Sequence, residues 1–96
     1  MIIEDAPDKE FIGTEYQIAG NAIIGRASDA DISCEFDKAM SRQHSEVYIG
    51  PEGNIMIRDV GSSNGTIVNG QQIFKPAALV EGMEILLGET TFKWKV

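Results

Sequence analysis

The chain has 96 residues, 43% of them hydrophobic, and a formal charge of −7. It is long enough to bury one core and too short for two, and its acidity argues against general affinity for nucleic acid or anionic membranes, which require cationic surface. One cysteine, Cys34, excludes an internal disulfide, and one histidine, His44, gives no basis for a histidine-based metal set.

In chain order, the charged stretch Glu4 to Glu10 reads as an N-terminal arm or as a strand with a ragged start. Met1-Ile2-Ile3 and Phe11-Ile12 are rival candidates for the first strand. From there the apolar period is two. Tyr16 and Ile18 flank Gln17, Val47 and Ile49 flank Tyr48, Ile55 and Ile57 alternate with Met56 and Arg58, and Phe92, Trp94 and Val96 alternate with Thr91, Lys93 and Lys95. Such alternation describes strands with one dry face. Ala22-Ile23-Ile24 and Ile67-Val68 add short apolar runs, while Lys75 to Val80, containing Pro76, reads as a loop. Turn signals separate these pieces at Gly20-Asn21, Pro51 to Asn54, Asn64-Gly65, Asn69-Gly70 and Glu81-Gly82. The expectation is an all-β sandwich. No apolar run approaches the ~20 residues that cross a bilayer, and the N-terminus lacks the basic flank of a signal peptide. Residues 1–96 are therefore expected to be one soluble domain, a module of a larger protein, working in a reducing, cytoplasmic compartment.

Chemistry concentrates on loops. Gly25-Arg26 follows an apolar run, so the arginine emerges at a strand end, where its planar guanidinium grips two phosphate oxygens or pairs with Asp29 or Asp31. Ser41-Arg42-Gln43-His44 precedes another strand. Its serine hydroxyl is a donor for an anion and Arg42 adds charge. A hydrolase in which His44 activates Ser41 is a weak alternative, because the spacing specifies neither hydrogen-bond reach nor an orienting acid. His44 is expected to tie neighbouring loops together. Gly61 to Thr66 lacks the lysine and following helix of a nucleotide-binding loop. Ser63 there is a candidate for phosphate and Asn64 for peptide backbone. Asn69-Gly70 reads first as turn chemistry, with peptide contact from Asn69 secondary.

Together these pieces resemble a forkhead-associated (FHA) domain. The resemblance covers about Ile23 to Leu87 through Gly25-Arg26, Asp31-Ile32, the Ser-Arg-x-His run at 41–44, Ile57 to Val60, Ser62 to Thr66, Val68 to Gly70, and Glu81-Gly82 ahead of Ile85 to Gly88. It implies an eleven-stranded β-sandwich of two sheets, with loops at one end that bind phosphothreonine peptides. Carried over by motif, Arg26, Ser41, Arg42 and Ser63 would hold phosphate, Asn64 and Asn69 the peptide main chain, and Gly25, His44 and Gly65 would shape the loops. Cys34 to Asp37 is a polar version of a stretch that is often aliphatic in such domains. The implied function is phosphorylation-dependent protein–protein interaction in signalling, without cofactor, metal, catalysis, nucleic acid or membrane insertion. The alternative is a phospho-independent interaction or scaffold domain of the same fold.

Overall fold

The computed structural model describes residues 1–95; Val96, the end of the expected last strand, lies outside them. Ten strands follow one another: β1 (Ile2–Asp5), β2 (Ala22–Gly25), β3 (Ile32–Ser33), β4 (Ser45–Ile49), β5 (Ile55–Asp59), β6 (Thr66–Val68), β7 (Gln71–Ile73), β8 (Ala77–Ala78), β9 (Glu84–Leu87) and β10 (Thr90–Lys93). They form two five-stranded sheets, in the orders β1-β10-β9-β6-β7 and β3-β2-β4-β5-β8. All pairings are antiparallel except β2 with β3.

The period-two pattern builds the core directly, since alternate side chains point to opposite faces of a strand. Ile3, Val68, Ile85, Leu87 and Phe92 from one sheet, and Ile24, Ile32, Val47 and Ile57 from the other, are buried in a single cluster. Each fully buried aliphatic or aromatic side chain contributes about 1.5–3 kcal/mol, so these strands are held face to face chiefly by apolar burial.

The strand count is ten rather than eleven because the segment around Tyr16 and Ile18 makes no ladder. It runs beside β1 through bonds from Ile3 N to Thr14 O (2.9 Å) and from Tyr16 N to Met1 O (2.8 Å), with one isolated bridge between Ile2 and Glu15. Of the rival first strands, Met1-Ile2-Ile3 supplies β1, while Phe11 closes a 3-10 turn over Lys9–Phe11. Within Lys75 to Val80, expected as loop, Ala77 and Ala78 add two residues to the edge of β5. The polar-looking stretch Cys34 to Asp37 turns inward: Cys34 and Asp37 are buried, and Phe36 stacks on Phe11 with centroids 4.2 Å apart. Burial pushes the Cys34 thiol up to about 12, so it is held protonated and unreactive.

The register places four connections at one end of the sandwich. They are residues 26–31 after β2, 34–44 before β4, 60–65 between β5 and β6, and the Gly88-Glu89 turn between β9 and β10. Close approach at this end requires glycine. A Cβ on Gly25 would sit 2.0 Å from the Arg42 carbonyl oxygen, and one on Gly88 would sit 2.6 Å from Met40 N. We expect Gly25→Ala to lower stability by about 1–3 kcal/mol, the range for forced overpacking, read as a reduced urea midpoint; an unchanged midpoint would show that the 41–43 segment yields.

Candidate functional site

The end of β2 continues past its last residue by pairing with the loop that crosses it. Arg26 N donates to Ser41 O (3.0 Å) and Ala27 N to Arg42 O (3.1 Å). This fixes the half-buried Arg26, whose Nε donates to Met40 O at 3.1 Å. No ion pair joins it to Asp29 or Asp31 among the described residues; Asp31 instead accepts from Ile23 N at 2.8 Å. The ion pairs Lys9–Asp5, Arg58–Glu46 and Lys93–Glu4 lie elsewhere. Arg26, Lys38 and Arg42 thus bring cationic charge to one end of an acidic domain, with Lys38 and Arg42 exposed.

Ser41 joins three segments. Its carbonyl accepts from Arg26, its N–H donates to His44 Nδ1 (3.1 Å), and its Oγ accepts from Ser63 N (3.0 Å). The Ser41 O–H keeps its donor capacity while Oγ accepts. His44 is fully buried, and its Nε2 lies 2.7 Å from Gly65 O. Because Nδ1 accepts a backbone N–H, Nε2 carries the proton and donates to that carbonyl. Neither ring nitrogen faces the Ser41 hydroxyl, so the hydrolase alternative lacks its base.

Loop 60–65 is organised from within by Asp59. Its Oδ2 accepts from Gly61 N and Ser62 N, both at 2.9 Å, and its Oδ1 accepts from Thr66 Oγ1 at 2.8 Å and from the Ser62 hydroxyl. Ser62 Oγ accepts in turn from Gly65 N (2.9 Å), and Thr66 Oγ1 meets Ser45 Oγ at 2.6 Å. Gly65 adopts φ +87, a left-handed conformation that suits glycine. The exposed tip of this loop carries Ser63 and Asn64, and Asn64 Nδ2 donates to Ala39 O at 2.8 Å. The facing loop is anchored by buried Asp37, which accepts from Ala39 N (3.0 Å), Glu89 N (2.8 Å) and Thr90 Oγ1 (2.6 Å).

Arg26, Ser41, Ser63 and Asn64 are therefore linked through 39–41, and Arg42 adjoins them in sequence. Asn69 is not brought to them. It lies in the β6–β7 turn, at the opposite end of β6 from Gly65, with φ 48, and its Oδ1 accepts from Glu84 N at 2.8 Å. Sequence reasoning gave no role to Asp59, Ser62, Asp37 or Thr90. The one available signal was local: Asp59 and Asp37 each precede, by two residues, an N–H that they bind, the spacing of an Asx turn.

The FHA domain family model matches residues 22–88. This chain belongs to the FHA domain family. It is 36% identical over 83 residues to the mouse angiogenic factor with G patch and FHA domains 1, a match covering 78% of this chain but 12% of that protein. The crystal structure of the FHA domain of CT664 from Chlamydia trachomatis superposes with a TM-score of 0.82 at 32% identity, covering 96% of this chain and 90% of that one. The N-terminal FHA domain of Saccharomyces cerevisiae Rad53p, solved with a phosphothreonine peptide, superposes with a TM-score of 0.66 at 27% identity, over 74% and 62% of the two chains. Among the described residues, no helix is long and apolar enough to cross a membrane, and no group of three or more His, Cys, Asp or Glu could hold a metal ion.

Desolvation raises the Asp59 carboxyl, but the hydrogen bonds from Ser62, Thr66 and Gly61 outweigh it and hold the group below its ordinary value of 3.8. A lowered carboxyl stabilises the fold above that ordinary value and loses the contribution as pH falls through the native one. The stability gap between the protein and its Asp59→Asn variant should therefore be widest above about pH 5 and close progressively below 3.8. Urea titrations across this range measure it, and a gap independent of pH would deny Asp59 its part in the loop.

Proposed function

We propose that this chain is a phosphothreonine-peptide binding module that joins proteins in a phosphorylation-dependent way, and that it does so as one module of a longer protein. The observation that carries the reading is the rim itself. Arg26, Ser41 and Ser63 adjoin one another, held by hydrogen bonds through residues 40–41 and braced by the buried His44, on a domain otherwise rich in carboxylates. Phosphothreonine has about two negative charges at neutral pH and three strong acceptor oxygens.

The site's polar atoms divide by direction. Arg26 commits Nε to Met40 O, leaving its Nη groups for the ligand. Ser41 Oγ accepts from Ser63 N with one of its two lone pairs and keeps its O–H to donate. These are donors, as phosphate oxygens require. Asn64 commits Nδ2 to Ala39 O, which leaves Oδ1 to accept from a peptide N–H. Arg42, exposed beside Ser41, supplies further charge to phosphate or to the adjacent peptide. Asn69 has its Oδ1 engaged by Glu84 N, so it supports the hairpin rather than the peptide. Gly25, His44 and Gly65 shape the loops.

Hydrogen bonds to charged groups are worth about 1.5–3 kcal/mol each. Three or four of them reach the roughly 8 kcal/mol of micromolar affinity once association costs are met. Binding ends with the complex: the buried histidine and the protonated, buried thiol offer no catalytic set. A kinase-written mark and a lone reduced cysteine fit a cytoplasmic setting.

Titrating the protein with a phosphothreonine peptide and its unmodified twin tests this reading. The phosphorylated form should bind and the twin should lose nearly all affinity, while Arg26→Ala should weaken phosphopeptide binding by well over tenfold, or more than about 1.4 kcal/mol, without unfolding. Equal binding of both peptides would instead indicate a phospho-independent interaction domain, and unchanged affinity of Arg26→Ala would remove that residue from the site.

A further inference from the structure

Phe74 is 86% exposed, well above the other outward apolar side chains, Ile12 at 43%, Ile49 at 53% and Val80 at 56%. A single exposed apolar residue is ordinary, but this one has surroundings. Phe74 to Pro76 carries the chain from β7, at the edge of one sheet, to β8, at the edge of the other. A groove of about 390 Å³ runs along this crossing, lined by Gln72, Ile73, Phe74, Lys75, Pro76 and Ala77.

The groove adjoins the phosphate rim. Ile73 is paired with Thr66, so Phe74 continues β7 toward the end of the sandwich where Gly65 closes the loop of Ser63 and Asn64. Gln72, at one end of the groove, lies over that loop, close enough that a Cβ on Gly65 would be 2.5 Å from its Nε2. Resting on the phosphothreonine reading above, we infer that the bound phosphopeptide continues over the 62–65 loop and seats an apolar side chain against Phe74 in this groove. An extended strand advances about 3.3 Å per residue, and paired strands lie about 5 Å apart. The apolar residue therefore falls roughly three to six positions from the phosphothreonine. Continuity with the rim selects this occupant: a peptide already held by Asn64 crosses the groove without a separate association cost.

The test is a degenerate peptide library with fixed phosphothreonine and mixed flanking positions, bound in parallel to the protein and to Phe74→Ser. The exposed ring buries little in the free domain, so coincident melting curves should show the variant folded. The protein should enrich Leu, Ile, Phe or Tyr at one position within the stated range. Phe74→Ser should keep phosphate-dependent binding, lose that enrichment, and bind the selected peptide about five- to tenfold more weakly, the loss expected for one apolar contact. Identical selection by both proteins, or no apolar selection by either, overturns the groove while leaving the phosphothreonine reading intact. Failure of both to prefer the phosphorylated library over its unphosphorylated counterpart overturns the two together.

Discussion

A buried imidazole sets the geometry on which the candidate site depends. His44 takes the backbone N–H of Ser41 on one nitrogen and gives its proton to the Gly65 carbonyl on the other. Two loops 21 residues apart are thereby held at a fixed separation through one rigid ring. Loops are ordinarily the mobile part of a β-sandwich. Here their polar groups are satisfied inside the protein, because an unpaired buried donor or acceptor costs about 1–3 kcal/mol. The facing loop is braced by the same means, with the Asp37 carboxylate accepting from Ala39, Glu89 and Thr90. Neither device touches the proposed ligand. Both lower the ordering cost that binding would otherwise meet.

The rim inherits its character from what those braces leave over. Where a side chain spends its acceptor inward, as Ser41 does, it presents a donor outward; where it spends a donor, as Asn64 does, it presents an acceptor. The proposed pocket for an anion, next to the proposed reader of peptide N–H groups, rests on this pairing of commitments. The glycines belong to the same logic. Gly25 and Gly88 admit backbone where a methyl group would collide, so the loops reach their partners without displacing the strands beneath.

Much of the fold was legible because burial follows a period that one segment displays by itself. Val47 and Ile57 are buried where the alternation put them, and Asn69-Gly70 makes the tight β6–β7 turn with positive φ at both residues, whereas Asn64-Gly65 ends a loop between the two sheets. Tyr16 and Ile18 show where alternation is not enough: their segment has β1 as a neighbour yet meets it by one bridge, and no local pattern encodes the length of a ladder. Ala77 and Ala78 show the reverse, a strand made by a neighbour's open edge despite Pro76. For the site, Arg26, Ser41 and Ser63 were visible as donors placed just outside strands. Asp37 and Asp59 were half visible: their turns to Ala39 N and Gly61 N are local, but the bond of Asp37 to Thr90 spans 53 residues and that of Asp59 to Thr66 depends on how β6 returns.

Net charge and local charge pull in opposite directions here, and distance decides between them. A domain at −7 repels an anionic peptide from afar. At about 0.1 M salt, however, the Debye length is roughly 10 Å, comparable with the 11.9 Å radius of gyration. A phosphate at the rim is then screened from carboxylates on the far faces while remaining close to Arg26, Lys38 and Arg42. The acidic background weakens long-range capture but does not cancel the short-range grip proposed for the rim. Recognition by such a site rests on contacts made after arrival, so its selectivity lies in geometry at the rim and in the surface beside it.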